Sequence, residues 1–346
     1  MFYVHQINCI SPQQTFNITD IEQLLLPVNK KLNVIEPVYQ DIPKNSLRRM
    51  GKTVRIGIAA AMEIIKQAER FDGIVIGTGN GGMEDSIIFL KQVIEYNEGL
   101  LTPAHFVQST SNAVASQLSL ASVNRGYNIT HVHRGLAFEM AAIDVAMRLL
   151  ENRQHSYLLG GVDEISGYNY KLDYLDGWYK KEEVDALGLY DTDSPGTIAG
   201  EGAVAMLVNN TKNGAIAKVV GLTTLHSTDV YALQQHLQNF LKQHEGLTID
   251  LLLSGENGDN RSLYFYTGVE GMIQGNIPIA RFKHMCGEYP TASSFALWLA
   301  CKLIEGAALP AHMLKKGQPK TAYNNVLIYN CHKNLQHSFI LVSLAE

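Results

Sequence analysis

The sequence has no continuous apolar run long enough to span a bilayer. Its opening, MFYVHQINCISPQQTF, carries neither the positive flank nor the apolar stretch of a secretory signal, so neither a membrane partner nor export is expected. Cysteine is scarce. Cys9, Cys286, Cys301 and Cys331 are the full set, no two lie at a zinc-ligand spacing, and they form no secreted disulfide framework. A reducing cytoplasm is the expected setting, with no metal. Because no cysteine lies between Cys9 and Cys286, thiol chemistry is excluded from that whole stretch. Basic residues form no patch and the net charge is -5, which argues against nucleic acid as a partner. A dinucleotide site is also missing. GTGNGG at Gly77–Gly82 meets the required glycine spacing only loosely, and position 102 is a threonine where an acidic residue about 20 positions on would be needed. The segment reads as a tight strand-to-helix turn, and no cofactor is expected.

What is present is a large core. The chain has 346 residues, 46% of them hydrophobic and 18% charged, which suits two tightly packed halves better than one simple core. Residues 54–70 are apolar at helical spacing, and FDGIVIG is a buried strand. Helices are expected over MEDSIIFLKQVIEY, STSNAVASQLSLASV and GLAFEMAAIDVAMRLL, with strands at Tyr127–Val132, Tyr157–Gly161 and GEGAVAMLVNN. After residue 212 the theme restarts. AIAKVVGLTTL and IDLLLSG are strands, DVYALQQHLQNFLKQH and SSFALWLACKLIEG are helices, and NVLIYNC and HSFILVSL are the closing strands. Alternation of this kind predicts an α/β fold with mostly parallel central sheets. The expected division is 1–211 and 212–346, two halves of one compact unit.

Three motifs carry a resemblance. The run TPAHFVQSTSNAVASQLSLASVNRGYNIT leads into a helix and then a strand ending in Gly160-Gly161-Val162-Asp163-Glu164; GTIAGEGAVAMLV spans 196–208; RRMGK spans 48–52. Together they resemble the β-ketoacyl synthase family, strongly over the first 210 residues and more weakly beyond. The resemblance implies the thiolase-like fold, two similar βαβαβαββ halves packed as five layers. It also implies a site in which a cysteine at the head of a buried helix becomes a thiolate and takes an acyl chain, two histidines serve decarboxylation, and a lysine organises them.

Against that pattern this chain departs at the nucleophile and at both histidines. Counting back from Arg148 puts Leu136 at the nucleophile position, or Gly135 with a one-residue gap. Gly255, with Glu256 beside it, falls on the first histidine and Glu288 on the second. Lys283 is the retained lysine, and Leu297 replaces the glutamate that should pair with it. The glycine-rich gate becomes NCHKNLQ, Asn330 to Gln336, which cannot flex in the same way.

Further pocket candidates are His131, His133, Arg134, Phe138 and Cys286. The two histidines stand at i, i+2 on a strand and should share a side, but no third metal ligand accompanies them. They more plausibly plug the vacated pocket or bond across a subunit interface. Cys286 reads as a small hydrophobe before it reads as a replacement nucleophile. Asp163, Glu164 and Glu201 read as structural, Glu201 by satisfying backbone donors, and TDSPGT at 192–197 as a turn.

The resemblance therefore implies a non-catalytic, chain-length-factor-type subunit, inactive in condensation by itself. It would pair with an active ketosynthase in polyketide or fatty-acid-type chain building and meet an acyl carrier protein through that complex. INCISPQ adds a hint of aryl polyene or related pigment pathways. Two other readings stand beside it: a divergent acyltransferase or hydrolase using Cys286 or His131/His133, and a stand-alone acyl-binding homodimer.

Overall fold

The computed structural model describes residues 1–17, 21–40, 42–68 and 70–345. Strand β1 (Phe2–Ile10) buries Phe2 and Val4 and leaves Tyr3 and His5 half-buried, the period-two pattern of a strand. Helix α1 (Lys52–Gln67) buries Val54, Ile58 and Ala61 at helical spacing. The fully buried β2 (Gly73–Thr78) follows, then α2 (Met83–Glu95) and α3 (Ala113–Ala121). The first half ends with β3 (Tyr127–Val132), α4 (Ala137–Glu151), β4 (Ser156–Asp163), α5 (Gly167–Leu175) and β5 (Gly202–Asn209).

The second half opens with β6 (Ala217–His226) and α6 (Val230–Gln243). Asp229 caps α6 by accepting the Tyr231 amide at 2.8 Å. Then come β7 (Leu251–Ser254), α7 (Leu263–Glu270), β8 (Ile279–Arg281) and α8 (Ala292–Ile304). β9 (Leu314–Lys316), β10 (Asn325–His332) and β11 (Gln336–Leu344) close the chain.

These strands form one hydrogen-bonded array in the order β9-β8-β7-β10-β11-β6-β1-β5-β4-β2-β3. The order repeats. In each half the first strand pairs antiparallel with the fifth and the fifth antiparallel with the fourth; the fourth then runs parallel to the second and the second parallel to the third. β9 is an extra edge strand on β8. The halves join where Phe2–Val4 of β1 pair antiparallel with Ala217–Val219 of β6.

The expectation of mostly parallel sheets is corrected here. Parallel pairing is confined to the three outer strands of each half. The middle is antiparallel because the closing strand of each half returns alongside its predecessor, most tightly through the turn from His332 to Gln336.

Alternation along each strand sorts side chains into layers. Leu159 of β4, Met206 of β5 and Leu253 of β7 face a central core shared with α4 and α8. Leu158 of β4 and Ala205 of β5 face the other way, onto α1 and α3. Leu252 of β7, Leu327 of β10 and Phe339 of β11 pack on α6 and α7. Helix, sheet, helix, sheet, helix is the five-layer thiolase-like α/β arrangement. The head of α4 thus lies in the middle layer, where loops from both halves converge.

Candidate functional site

The head of α4 is set by an abrupt change of backbone direction. After β3, His133 has φ -148° and ψ 45°, and Arg134 takes a left-handed φ of 41°. A long side chain rarely adopts that region, and such strain collects at functional sites. Arg134 is exposed and carries no ion pair among the described residues. Gly135 must be glycine, since a Cβ there would meet Cβ of His332 at 2.2 Å. Its amide donates to Oε1 of Gln336 at 3.0 Å. Leu136 is 4% exposed, facing the core.

One wall of the adjoining cleft is held by Asp163. Its Oδ1 accepts from Thr78 Oγ1 (3.0 Å) and from the Gly79 (2.9 Å) and Asn80 (2.7 Å) amides; its Oδ2 accepts from the Thr291 amide (3.1 Å) and hydroxyl (2.9 Å). The glycine turn therefore spends its amides on a carboxylate of its own chain. Burial pushes Asp163 up to about 6 against the pull of those donors. Gly77 is needed because α4 crosses directly over it: a Cβ would lie 2.5 Å from the Ala137 carbonyl oxygen. Glu201 accepts the Val34 and Ile165 amides, both at 2.9 Å, and pairs with Lys52. This is the backbone-satisfying role read from the sequence. Burial likewise raises Glu164, to about 7.

The opposite wall is built around Glu288. Two glycines place it: a Cβ on Gly200 would sit 1.9 Å from the Cys286 carbonyl oxygen, so the two backbones touch. The Gly200 amide donates to the Glu288 carbonyl at 3.0 Å, and the Glu288 amide to the Ile198 carbonyl at 2.8 Å. Oε1 of Glu288 accepts from Nζ of the fully buried Lys283 at 2.7 Å and lies 3.5 Å from Nδ1 of His332. Oε2 accepts from Asn257 Nδ2 at 3.0 Å. Burial alone would raise this carboxyl, but the charge of Lys283, with the approach of His332, outweighs it and holds Glu288 at about 2. The lysine thus has a carboxylate partner, supplied five residues on rather than from α8, where Leu297 is buried in the core.

Between the walls is an open cleft of about 290 Å³. Arg134, Asn257, Glu288 and His332 line its polar end; Trp178 and Tyr179 line another side. The loop from Lys333 to Leu335 closes one end without glycine, with Lys333 and Asn334 at φ 50° and 57° and Lys333 paired to Asp173 at 2.5 Å.

Several candidates lie elsewhere. His131 has left the cleft: its Nε2 is 3.1 Å from Asp144 on α4. His133 lies beyond the strand end, so the expected common side is lost, and its Nδ1 is 3.4 Å from Gln336 Nε2. Phe138 is fully buried in the central core. Cys286 is fully buried, its thiol donates to the Gly287 carbonyl at 3.3 Å, and burial pushes it far above the ordinary thiol range, so it holds no thiolate. Gly255 has no room for a side chain, since a Cβ would lie 2.7 Å from Asn330 Oδ1; Asn257, two residues on, reaches the cleft instead. Glu256 pairs with Arg281 at 3.2 Å and with Lys315.

Of the five pocket candidates, Arg134 alone lines this cleft. Sequence reasoning missed His332 and Asn257. It also missed Glu139, fully buried in the first turn of α4, raised by burial and accepting from Ser338 Oγ at 2.6 Å. A glutamate inside the apolar run AFEMAAI at the start of α4 was the signal for the last. Among the described residues no group of three or more metal-ligating side chains is placed to hold a metal, and no helix is long and apolar enough to cross a membrane.

No family model and no curated protein matches the chain by sequence. Solved structures do match by fold. A β-ketoacyl synthase from Burkholderia phymatum superposes with a TM-score of 0.77 at 14% identity, covering 99% of each chain. The ishigamide ketosynthase/chain length factor gives 0.79 at 14% identity over 99% of this chain and 98% of the other. A ketosynthase in complex with its chain length factor from Xenorhabdus doucetiae gives 0.77, again at 14% identity, over 99% and 98%. The chain shares the ketosynthase and chain-length-factor fold end to end.

Proposed function

We propose that this chain is a ketosynthase-like subunit that does not itself condense, pairing with a catalytic ketosynthase as a chain-length factor does. The observation that carries this reading is the head of α4. In this fold it is the place for a nucleophile, and here it holds Arg134, Gly135 and Leu136, none of which can form an acyl-enzyme. We assign Arg134, the strained residue, rather than Leu136, to the turn that would present the nucleophile. The resemblance to ketosynthase/chain-length-factor pairs supports the partner, and an acyl carrier protein would be met through the complex. A polyketide or fatty-acid-type pathway, including a pigment-type one, a cytoplasmic setting and the division at 211/212 belong to the same proposal.

The two sheet edges favour pairing through the first half. β9 is three residues long and carries Lys315 and Lys316, which discourage strand addition. β3 has six residues, lies at the other end of the array and bears no lysine, arginine or carboxylate. Val132 on it is 55% exposed, and Leu120 of α3 and Met147 of α4, the helices packed on β3, are exposed as well. A second chain added at β3 would cover them.

Co-expression tests the proposal. With a ketosynthase from the same genomic neighbourhood, the two should co-purify as a 1:1 complex that Val132→Lys weakens. A homodimer indifferent to the ketosynthase would instead support the acyl-binding alternative.

A further inference from the structure

Condensation and hydrolysis make different demands on a site. Condensation needs a nucleophile that keeps the acyl chain, and the head of α4 has none. Hydrolysis needs only a base for water and a charge for the oxyanion. An imidazole has returned to the cleft from an unexpected element, the end of β10. The ring of His332 rests on Gly135, its Cδ2 2.6 Å from where a Cβ would stand. Nδ1 faces Glu288 at 3.5 Å and has no hydrogen-bond partner among the described residues, and the residue lines the cleft. Glu288 is itself fixed from two further sides, by Lys283 at 2.7 Å and Asn257 at 3.0 Å. Arg134 stands at the same cleft without an ion-pair partner, on strained backbone. A base, a carboxylate that orients it and a free cation therefore share one open pocket.

We propose that this cleft is a hydrolytic centre for acyl thioesters, with His332 as general base, Glu288 as its positioning residue and Arg134 as the oxyanion partner. Nε2 of His332 takes a proton from water as the water oxygen bonds to the carbonyl carbon. The carbonyl electron pair moves onto oxygen, beside Arg134. Collapse breaks the carbon–sulfur bond, and the thiolate leaves with the proton from His332, giving a carboxylic acid and a thiol. The choice of a thioester rests on the proposed function; the dyad itself does not.

Purified full-length chain is assayed with S-hexanoyl-N-acetylcysteamine and separately with p-nitrophenyl butyrate, alone and in the co-expressed complex. Turnover above buffer is expected. His332→Gln should lower kcat at least about 100-fold. Glu288→Gln should lower kcat about tenfold with KM unchanged, a split that loosened packing would not give, and Arg134→Met should lower kcat with no loss of thermal stability. Circular dichroism and thermal midpoints confirm folding; if Glu288→Gln fails to fold, His332→Gln decides the matter. Absence of turnover on both substrates, or His332→Gln as fast as the parent, overturns the inference. Ester cleavage without thioester cleavage keeps the dyad and overturns the thioester assignment. Pairing is scored on the same samples, so its loss counts against the proposed function and not against the dyad.

Discussion

On one wall of the cleft Asp163 accepts hydrogen bonds from Thr78, Gly79, Asn80 and Thr291 and is still pushed up to about 6 by burial. On the other, Glu288 is also buried yet held at about 2. The difference is the kind of partner. Neutral donors only partly replace the water a carboxylate loses, whereas Lys283 2.7 Å away supplies an opposite charge. The first wall is scaffold, tying β2 and β4 to the head of α8. The second gathers Glu288, Lys283, Asn257 and His332 around one charged pair. One wall of a cleft can thus be held by neutral donors while the other is held by charge.

The largest effect that would break this contrast lies at the backbone contact that places the second wall. Gly200→Val puts a side chain into the Cys286 carbonyl, and no folded protein should be recovered from expression and gel filtration. Next, Glu288→Ala strands a buried lysine and should cost about 3–5 kcal/mol in urea denaturation, while Lys283→Met combined with Glu288→Leu should recover most of it.

The pH responses should then run in opposite directions. Asp163 has its folded pKa raised from 3.8 to about 6, so its contribution improves as pH falls from 6 towards 4. Glu288 has its folded pKa lowered from 4.5 to about 2, so its contribution is complete above 4.5 and lost as pH falls towards 2. Each is worth about 3 kcal/mol. Asp163→Asn should therefore flatten the stability profile between pH 6 and 4, and Glu288→Gln that below pH 4.5, measured as urea midpoints. Equal effects in one window would erase the distinction between the walls. The smallest expected effect is at Leu136: its replacement by cysteine should yield no condensation, since Leu136 is buried away from the cleft and His332 is the single imidazole among the cleft's lining residues.

Much of this was legible in the sequence. Buried strands such as Gly73–Thr78 and the helix from Ala137 announce themselves by period and by flanking glycine, and the absence of any cysteine between Cys9 and Cys286 needs no alignment. β1 was not picked out, although it joins the halves, because FYVHQINCI mixes polar residues into an imperfect alternation. The elbow at Arg134 was hidden because strain at φ 41° has no composition signature. His332 was hidden because its approach to Gly135 spans nearly two hundred residues, and its approach to Glu288 joins the end of β10 to the segment before α8, which no local pattern encodes.

The central claim is that the fold serves a partner's condensation rather than its own. The most direct measurement is chain elongation by three samples, each with malonyl-loaded acyl carrier protein: this chain alone, the co-expressed ketosynthase alone, and the complex. The account predicts elongation by the complex, none by this chain alone, and loss of elongation when the partner's nucleophilic cysteine is replaced. Elongation by this chain alone, or by the complex after that replacement, would contradict it.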